Sequence, residues 1–186
     1  MFSLRVDDEI ELGLLEDRHA RPLFELMEQS REHLRAWLPT LGNLKSVAEV
    51  ESFIKEALQR FANHNGFQVG IWYRGELAGI IGYKYWDWTA GQTELAYLLG
   101  QKYTGRGIMT RAAYQLVEYA FNDLGLNRVE IRCATGNATS RAVPERLGFT
   151  REVILRQVFR KYDQLLDLAV YGMLAGDWQR PEAGEQ

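Results

Sequence analysis

Residues 98–111 read Leu98-Leu99-Gly100-Gln101-Lys102-Tyr103-Thr104-Gly105-Arg106-Gly107-Ile108-Met109-Thr110-Arg111. An apolar strand-like run gives way to a loop with three glycines, and a long amphipathic stretch starts near Gly107. Ile108, Ala112, Leu116, Ala120 and Leu124, flanked by Met109, Ala113, Val117 and Phe121, make a broad helical stripe of the kind that packs on a sheet. A helix start leaves about four backbone N–H groups unpaired, with the positive end of the helix dipole behind them. Glycines let a backbone approach a ligand closely. Strand, glycine loop and helix start together form a phosphate cradle, to which Arg106 and Thr110 add a charge and a hydroxyl. Such a loop also serves as a plain turn, so the cradle alone does not fix a function. Two dinucleotide readings fail. The third slot of a G-x-G-x-x-G frame begun at Gly105 is Thr110, and there is no Walker lysine pattern.

Moving outward, residues 93–99 read as the strand before the loop. Residues 67–73 and 77–86 read as two more, joined by a tight hairpin at Arg74-Gly75. Residues 10–15 read as a short opening strand. Asp17 is placed to cap a helix running to about Ser30, through Ala20, Leu23, Phe24 and Met27. Ser46-Val47-Ala48-Glu49 has the form of a capping box. The helix after it carries Val50, Phe53, Ile54, Ala57, Leu58 and Phe61 on one side. The link at 37–43, with Pro39 and Gly42, reads as a loop. On the other side, Gly125 ends the long helix, 128–134 reads as a strand, and a short helix spans about 140–147 before Gly148. Residues 151–159 and 165–174 read as the last strands, and a polar tail from about residue 177 is expected to fray.

The order β-α-α-β-β-β-α-β-α-β-β predicts one α/β domain over residues 1–186, with a mixed, mostly antiparallel sheet flanked by helices. At 186 residues the chain is long enough to bury a core. Hydrophobic residues make up 46%, so the composition is globular. A net charge of −3 supplies no basic field for nucleic acid or an acidic membrane. The start of the chain has no apolar signal core, and no apolar run approaches the roughly 20 residues of a membrane span, which points to a cytoplasmic protein. Cys133 is the only cysteine, on a strand, and reads as a buried thiol. His19, His33 and His64 stand apart from any metal-ligand spacing, so no metal is expected.

A second motif follows the 128–134 strand: Asn137-Ala138-Thr139-Ser140-Arg141-Ala142-Val143-Pro144-Glu145-Arg146-Leu147-Gly148-Phe149. Asn after a strand, a short helix and Leu-Gly-Phe before the next strand resemble the GNAT superfamily of N-acetyltransferases. That superfamily's phosphate loop follows Gln/Arg-x-x-Gly-x-Gly/Ala. The matching frame here is Thr104-Gly105-Arg106-Gly107-Ile108-Met109, which keeps the central Gly107 and departs at Thr104 and Met109. The segments 105–112, 128–134, 137–149 and 167–171 resemble its RimJ/RimL branch, the ribosomal-protein N-terminal acetyltransferases. The resemblance is specific from Glu94 to Tyr171 and spans most of the chain in element order.

The resemblance implies acetyl-CoA as co-substrate. Its phosphates would rest on Thr104, Gly105, Arg106, Gly107, Ile108, Met109 and Thr110. Its pantetheine arm would pair with a strand that splays from its neighbour, through backbone N–H groups near Leu98 and Leu99. Asn137 would be a side-chain contact to coenzyme A from the opposite strand. Deprotonating an ammonium needs a base. Glu94, on a mostly apolar strand about ten residues before the central loop, is the candidate, with Glu130 as runner-up. Many relatives place a tyrosine acid where this chain has Pro144. Ser140 is then the candidate donor to the leaving thiolate, with helix N-cap as its plainer role. Tyr83, Tyr85, Trp86 and Trp88, with Asp87 among them, would line an acceptor groove or serve as packing.

These expectations converge on acetyl transfer from acetyl-CoA to a primary amine, foremost the N-terminal α-amine of a protein such as a ribosomal protein. A small-molecule amine (polyamine, amino sugar or antibiotic) is the rival acceptor, and an inactive acyl-CoA-binding module the rival class. Neither nucleic acid nor membrane is an expected partner, and a homodimer is left open.

Overall fold

Among the described residues, 2–178 of a computed structural model, eight strands join in one sheet. They are β1 (Ser3–Arg5), β2 (Ile10–Leu14), β3 (Phe67–Tyr73), β4 (Glu76–Asp87), β5 (Gln92–Leu99), β6 (Arg128–Ala134), β7 (Thr150–Lys161) and β8 (Gln164–Leu174). Their spatial order is β1-β2-β3-β4-β5-β6-β8-β7. Every neighbouring pair is antiparallel except β5–β6, which is parallel. That exception is forced by connectivity, because a helix crosses over between these two strands. The helices are α1 (Ala20–Gln29), α2 (Arg31–Arg35), α3 (Pro39–Gly42), α4 (Val47–Ala62), α5 (Ile108–Asn122) and α6 (Ala138–Arg146). The α5 stripe expected from the sequence packs across β2, β4, β5 and β6, while α1 lies on β4 and α4 on β3. Leu12, Val69, Ile81, Tyr83, Leu95, Leu116 and Val129 are buried between these layers.

Local chemistry explains most boundaries. Arg74 and Gly75 both have positive φ, 51° and 82°, as the two central residues of a type I′ hairpin require. Ser46 Oγ accepts the Glu49 N–H at 3.3 Å, but Glu49 returns its carboxylate to the Lys45 N–H at 2.6 Å, one residue short of a full capping box. Between β4 and β5 the register slips: Tyr83 pairs with Leu95 and Trp86 with Thr93, so Lys84 and Tyr85 together oppose Glu94. This bulge re-aims side chains at the centre of the sheet.

Four expectations change. The chain opens with β1, a strand of three residues too short to show a period. Glu16, not Asp17, is the cap ahead of α1, at the start of a 3-10 turn over Asp17–His19. The link at 37–43 is not a loop. Leu34, Leu38 and Leu41 keep helical spacing through it, and Leu38 N–H reaches Leu34 O at 2.7 Å while Gly42 N–H reaches Leu38 O at 2.8 Å. Pro39 opens α3, the position where its missing N–H costs nothing. The carbonyls at the far end are taken by Arg31, which donates to Gly42 O at 2.7 Å and Leu44 O at 2.9 Å. Finally, the tail expected to fray from 177 is fixed at its start, because Trp178 lies on α5. Its ring meets Tyr114 and Phe121, and its Nε1 donates to Glu118 at 2.5 Å. The rest of that tail, 179–186, lies outside the described residues. No helix among the described residues is long and apolar enough to cross a membrane.

Replacing Trp178 with Ala should therefore lower unfolding free energy by about 1–3 kcal/mol, measured by urea denaturation. An unchanged midpoint would mean that the indole contributes nothing to α5.

Candidate active site

β5 and β6 pair only from Gln92–Arg128 to Leu95–Ile131. Beyond that point β5 stays on β4 as far as Leu99, and β6 stays on β8 as far as Ala134. The two strands part, and a cavity of about 730 Å³ opens in the wedge, walled by residues 94–99 and 131–134. Backbone groups alternate between the two edges of a strand. Gly100 N–H bonds Ala78 O of β4, and a Cβ added at Gly79 would strike the Leu98 carbonyl oxygen. Leu98 thus turns its backbone to β4, and Tyr97 and Leu99 turn theirs to the wedge. Of the two residues expected to offer N–H groups, Leu99 does so, while Leu98 supplies lining. An extended amide-bearing ligand can pair with this edge as a strand would.

The wedge ends at the glycine loop. Gly105 and Gly107 have φ of +75° and +70°, and a Cβ at either would meet nothing within 4 Å. The loop needs glycine there for backbone conformation, not for room. Gly107 is the N-cap of α5. Thr104, Gly105, Gly107, Ile108, Met109 and Thr110 all line the cavity, so the first amides of α5 and their dipole meet it. Arg106 does not line it. Its carbonyl instead accepts from Arg111, whose guanidinium also clamps Asp7 at 2.7 Å and Glu9 at 3.1 Å. Arg111 itself lines the cavity, so a guanidinium borders it beside the glycine loop.

Side chains of β5 alternate between the faces of the sheet. Leu95 and Tyr97 share the face of Tyr83, whose hydroxyl donates to the Leu116 carbonyl of α5. Glu94 points to the opposite face, and the wedge brings both faces into one cavity. Glu94 is only 6% exposed. Its Oε1 receives Lys84 Nζ at 2.5 Å, and its Oε2 lies 3.7 Å from Arg132 Nε. The charges continue in alternation: Arg132 on Glu130 at 2.9 Å, Arg128 on Glu130 at 2.6 Å, Arg128 on Glu152 at 2.5 Å. Burial alone would raise the Glu130 carboxyl, but its bonds to Arg128 and Arg132 outweigh it and hold the pKa below the ordinary value. That weakens Glu130 as a base, and Glu130 does not line the cavity. Glu94 does.

On the α5 face, Asn137 is the N-cap of α6, its Oδ1 accepting the Ser140 N–H at 3.1 Å. Ser140 is thereby relieved of the capping role and sits in the first turn. Its Oγ is 3.2 Å from Cys133 Sγ and 3.5 Å from the Tyr97 hydroxyl. Pro144 stands inside α6 and has no N–H for the Ser140 carbonyl four residues back. The Tyr97 hydroxyl donates to that carbonyl at 2.8 Å in its place. Burial pushes the Tyr97 phenol well above its ordinary pKa and raises the Cys133 thiol, so both stay protonated at neutral pH.

Two of the four clustered aromatics, Tyr83 and Trp86, are packing. Tyr83 and Trp86 are buried against Phe67, and Trp88 is 52% exposed with Nε1 on His64 O. Asp87 accepts the Thr89 and Ala90 N–H groups, and none of these residues, nor Tyr85, lines the cavity. The walls they were expected to supply come from elsewhere: His33, Leu34, Trp37 and Leu38 around α2, and Phe159 and Leu168 from β7 and β8. The spacing of Leu34, Leu38 and Leu41 was the available signal for the first group. Tyr97 and Cys133 join the site only through the fold. Among the described residues no group of three His, Cys, Asp or Glu is placed to hold a metal.

Residues 9–150 match the family model described as the acetyltransferase (GNAT) domain. The chain is 36% identical over 180 residues to the Bacillus subtilis protein named "Putative ribosomal N-acetyltransferase YdaF", covering 96% of this chain and 98% of the relative. It is 24% identical over 176 residues to the ribosomal-protein-serine acetyltransferase of Escherichia coli, covering 92% and 96%. Among solved structures, the microcin C7 self-immunity acetyltransferase MccE, in complex with acetyl-CoA and AMP, superposes with a TM-score of 0.88. It is 25% identical, and the match covers 92% of this chain and 95% of that one.

Tyr97→Phe leaves the Ser140 carbonyl without its donor and should cost about 1–3 kcal/mol of stability. In a Pro144→Ala background the restored N–H serves that carbonyl, so the same substitution should cost about 1 kcal/mol less. A double-mutant cycle in urea measures the coupling, and additive effects would refute the exchange of donors.

Proposed function

The chain belongs to the GNAT acetyltransferase family and is an acetyl-CoA-dependent N-acetyltransferase, and we propose that its acceptor is the N-terminal α-amine of a protein, such as a ribosomal protein. The observation that carries this reading is the wedge. It joins a phosphate cradle on one side of the sheet to a buried carboxylate on the other. The similarity to ribosomal N-acetyltransferases over nearly the whole chain supports the acceptor class.

In this reading the amides at the start of α5, with Thr104, Gly105, Gly107 and Thr110, hold the phosphates of coenzyme A. The free edge at Tyr97 and Leu99 holds the pantetheine arm, and Asn137 contributes from the opposite wall. Glu94 lies five residues from Leu99, about 17 Å along the strand, toward the acceptor side. It takes a proton from the acceptor ammonium, directly or through water. Ser140, its N–H committed to Asn137 and its carbonyl to Tyr97, turns its hydroxyl from Cys133 and Tyr97 to the leaving thiolate. Cys133 contributes packing and no covalent intermediate. A small-amine acceptor stays the second reading, favoured by Glu94 as a carboxylate facing the cavity. The cytoplasm is the fitting location, since acetyl-CoA and new ribosomal proteins meet there. The edge strand β7 leaves Val153, Ile154 and Val158 about half exposed, at 46, 45 and 53%, which supports a homodimer formed on that edge.

The test is coenzyme A thiol release from acetyl-CoA with three acceptors: a peptide with a free N-terminal Ser, the same peptide blocked, and spermidine. Release with the free peptide alone is expected, and release with spermidine alone would move the chain to the small-amine class. Binding of acetyl-CoA without release would favour a module that has lost turnover. Glu94→Gln should lower kcat about a hundredfold or more and leave acetyl-CoA affinity nearly unchanged. Cys133→Ala should retain turnover, and its complete loss in a folded variant would contradict a direct transfer.

A further inference from the structure

An amine already sits at the candidate base. The chain has five lysines, Lys45, Lys55, Lys84, Lys102 and Lys161. Of these, among the described residues, Lys84 alone lines the cavity. The bulge that sets Lys84 and Tyr85 opposite the single residue Glu94 aims the Lys84 side chain at that carboxylate. Nζ stands 2.5 Å from Glu94 Oε1, and the side chain is 52% exposed while that of Glu94 is 8% exposed. The long flexible side chain therefore brings a primary ammonium to a fixed, buried carboxylate, on the face of the sheet opposite Ser140 and Tyr97. That is the arrangement the acceptor amine must reach for transfer.

From this placement we infer that Lys84 is itself an acceptor, a site of intramolecular acetylation from bound acetyl-CoA when no other amine occupies the cavity. The inference rests on reading the cavity as the acetyl-CoA site with Glu94 as its base. The nitrogen of the Lys84 ammonium loses two protons in all. One goes to the Glu94 carboxylate first, freeing the lone pair that attacks the thioester carbonyl to form the C–N bond. The second leaves the nitrogen as the adduct collapses and the C–S bond breaks, ending on the coenzyme A sulfur. The products are N-acetyl-lysine and coenzyme A thiol, and no further reactant is needed. Acetylation removes the charge of Lys84 and with it the ion pair to Glu94. The other four lysines lack this setting: Lys55 pairs with Asp17, Lys102 with Glu76, Lys161 lies over the Trp37 ring, and Lys45 does not line the cavity.

The experiment incubates the full chain with acetyl-CoA and no acceptor, and follows the modification by intact mass and peptide mass spectrometry. One acetyl group is expected, on Lys84, at least tenfold above any other lysine. Its rate constant should not depend on protein concentration, and Lys84→Arg should remove it. No label on Lys84, equal label on all five lysines, or a rate rising with protein concentration each overturns the inference. Peptide-dependent thiol release, run in parallel, tests the acetyltransferase reading separately. Glu94→Gln divides the two further. Slowing of about a hundredfold at Lys84 supports both, and undiminished label at Lys84 keeps the acceptor and removes Glu94 as its base.

Discussion

The parting of β5 from β6 after Leu95 and Ile131 is the constraint on which the site depends. Each strand is held to its end by its other neighbour, β4 or β8, so the gap is fixed by two ladders of the one sheet and is not a frayed end. The gap leaves backbone N–H and C=O groups without strand partners, and buried groups of that kind are costly unless they find one. A ligand carrying amides supplies such partners. The glycine loop at the end of the gap and the start of α5 supply the complement for its anionic end. Had the parallel ladder run on to Leu99, there would be neither cavity nor exposed edge.

The gap also reconciles two groups that the pleat keeps apart. Glu94 and Tyr97 are three residues apart and must point to opposite faces. In a closed sheet they could not serve one reaction. Through the wedge they border the same space, with Lys84 and Arg132 on one face and Ser140, Cys133 and Tyr97 on the other. The bulge opposite Glu94 adds a second departure from regular pairing at the same place. Both irregularities fall in the middle of the sheet, where a ladder is otherwise most regular.

What the sequence made legible follows from range. The β3–β4 hairpin, β6, α4, α5 and the glycine loop are each set by short-range patterns, and they appear within a few residues of where those patterns put them. Element order and the two motifs were enough for the family. The short helices at 31–42 were obscured because Pro39 and Gly42 read as breakers, although Pro39 opens a helix and Arg31 closes its end. Tyr85, Trp86 and Trp88 looked like a groove because aromatic composition does not say which way a bulged strand turns its side chains. The Lys84–Glu94 pair and the Tyr97–Ser140 bond join residues 10 and 43 positions apart through strand pairing and helix docking. No local pattern encodes either.

Pro144 shows how such a bond changes the meaning of a sequence feature. Read alone, it is a departure, standing where relatives carry a tyrosine and breaking the hydrogen-bond ladder of α6. An interior proline costs a helix about 3 kcal/mol, part of which is the bond that its missing N–H would make. Here Tyr97 of β5 makes that bond instead, from the other wall of the gap. The loss of a donor within α6 thereby becomes a tether between α6 and β5. On the opposite face Arg132 of β6 approaches Glu94 of β5 at 3.7 Å. Side chains of β5 thus reach the far wall on both faces, Tyr97 beyond the end of the β5–β6 ladder and Glu94 one residue before its last pair. The β4–β5 and β6–β8 ladders fix the walls of the cleft, and a phenol and a guanidinium tie across it beside the groups of the proposed chemistry.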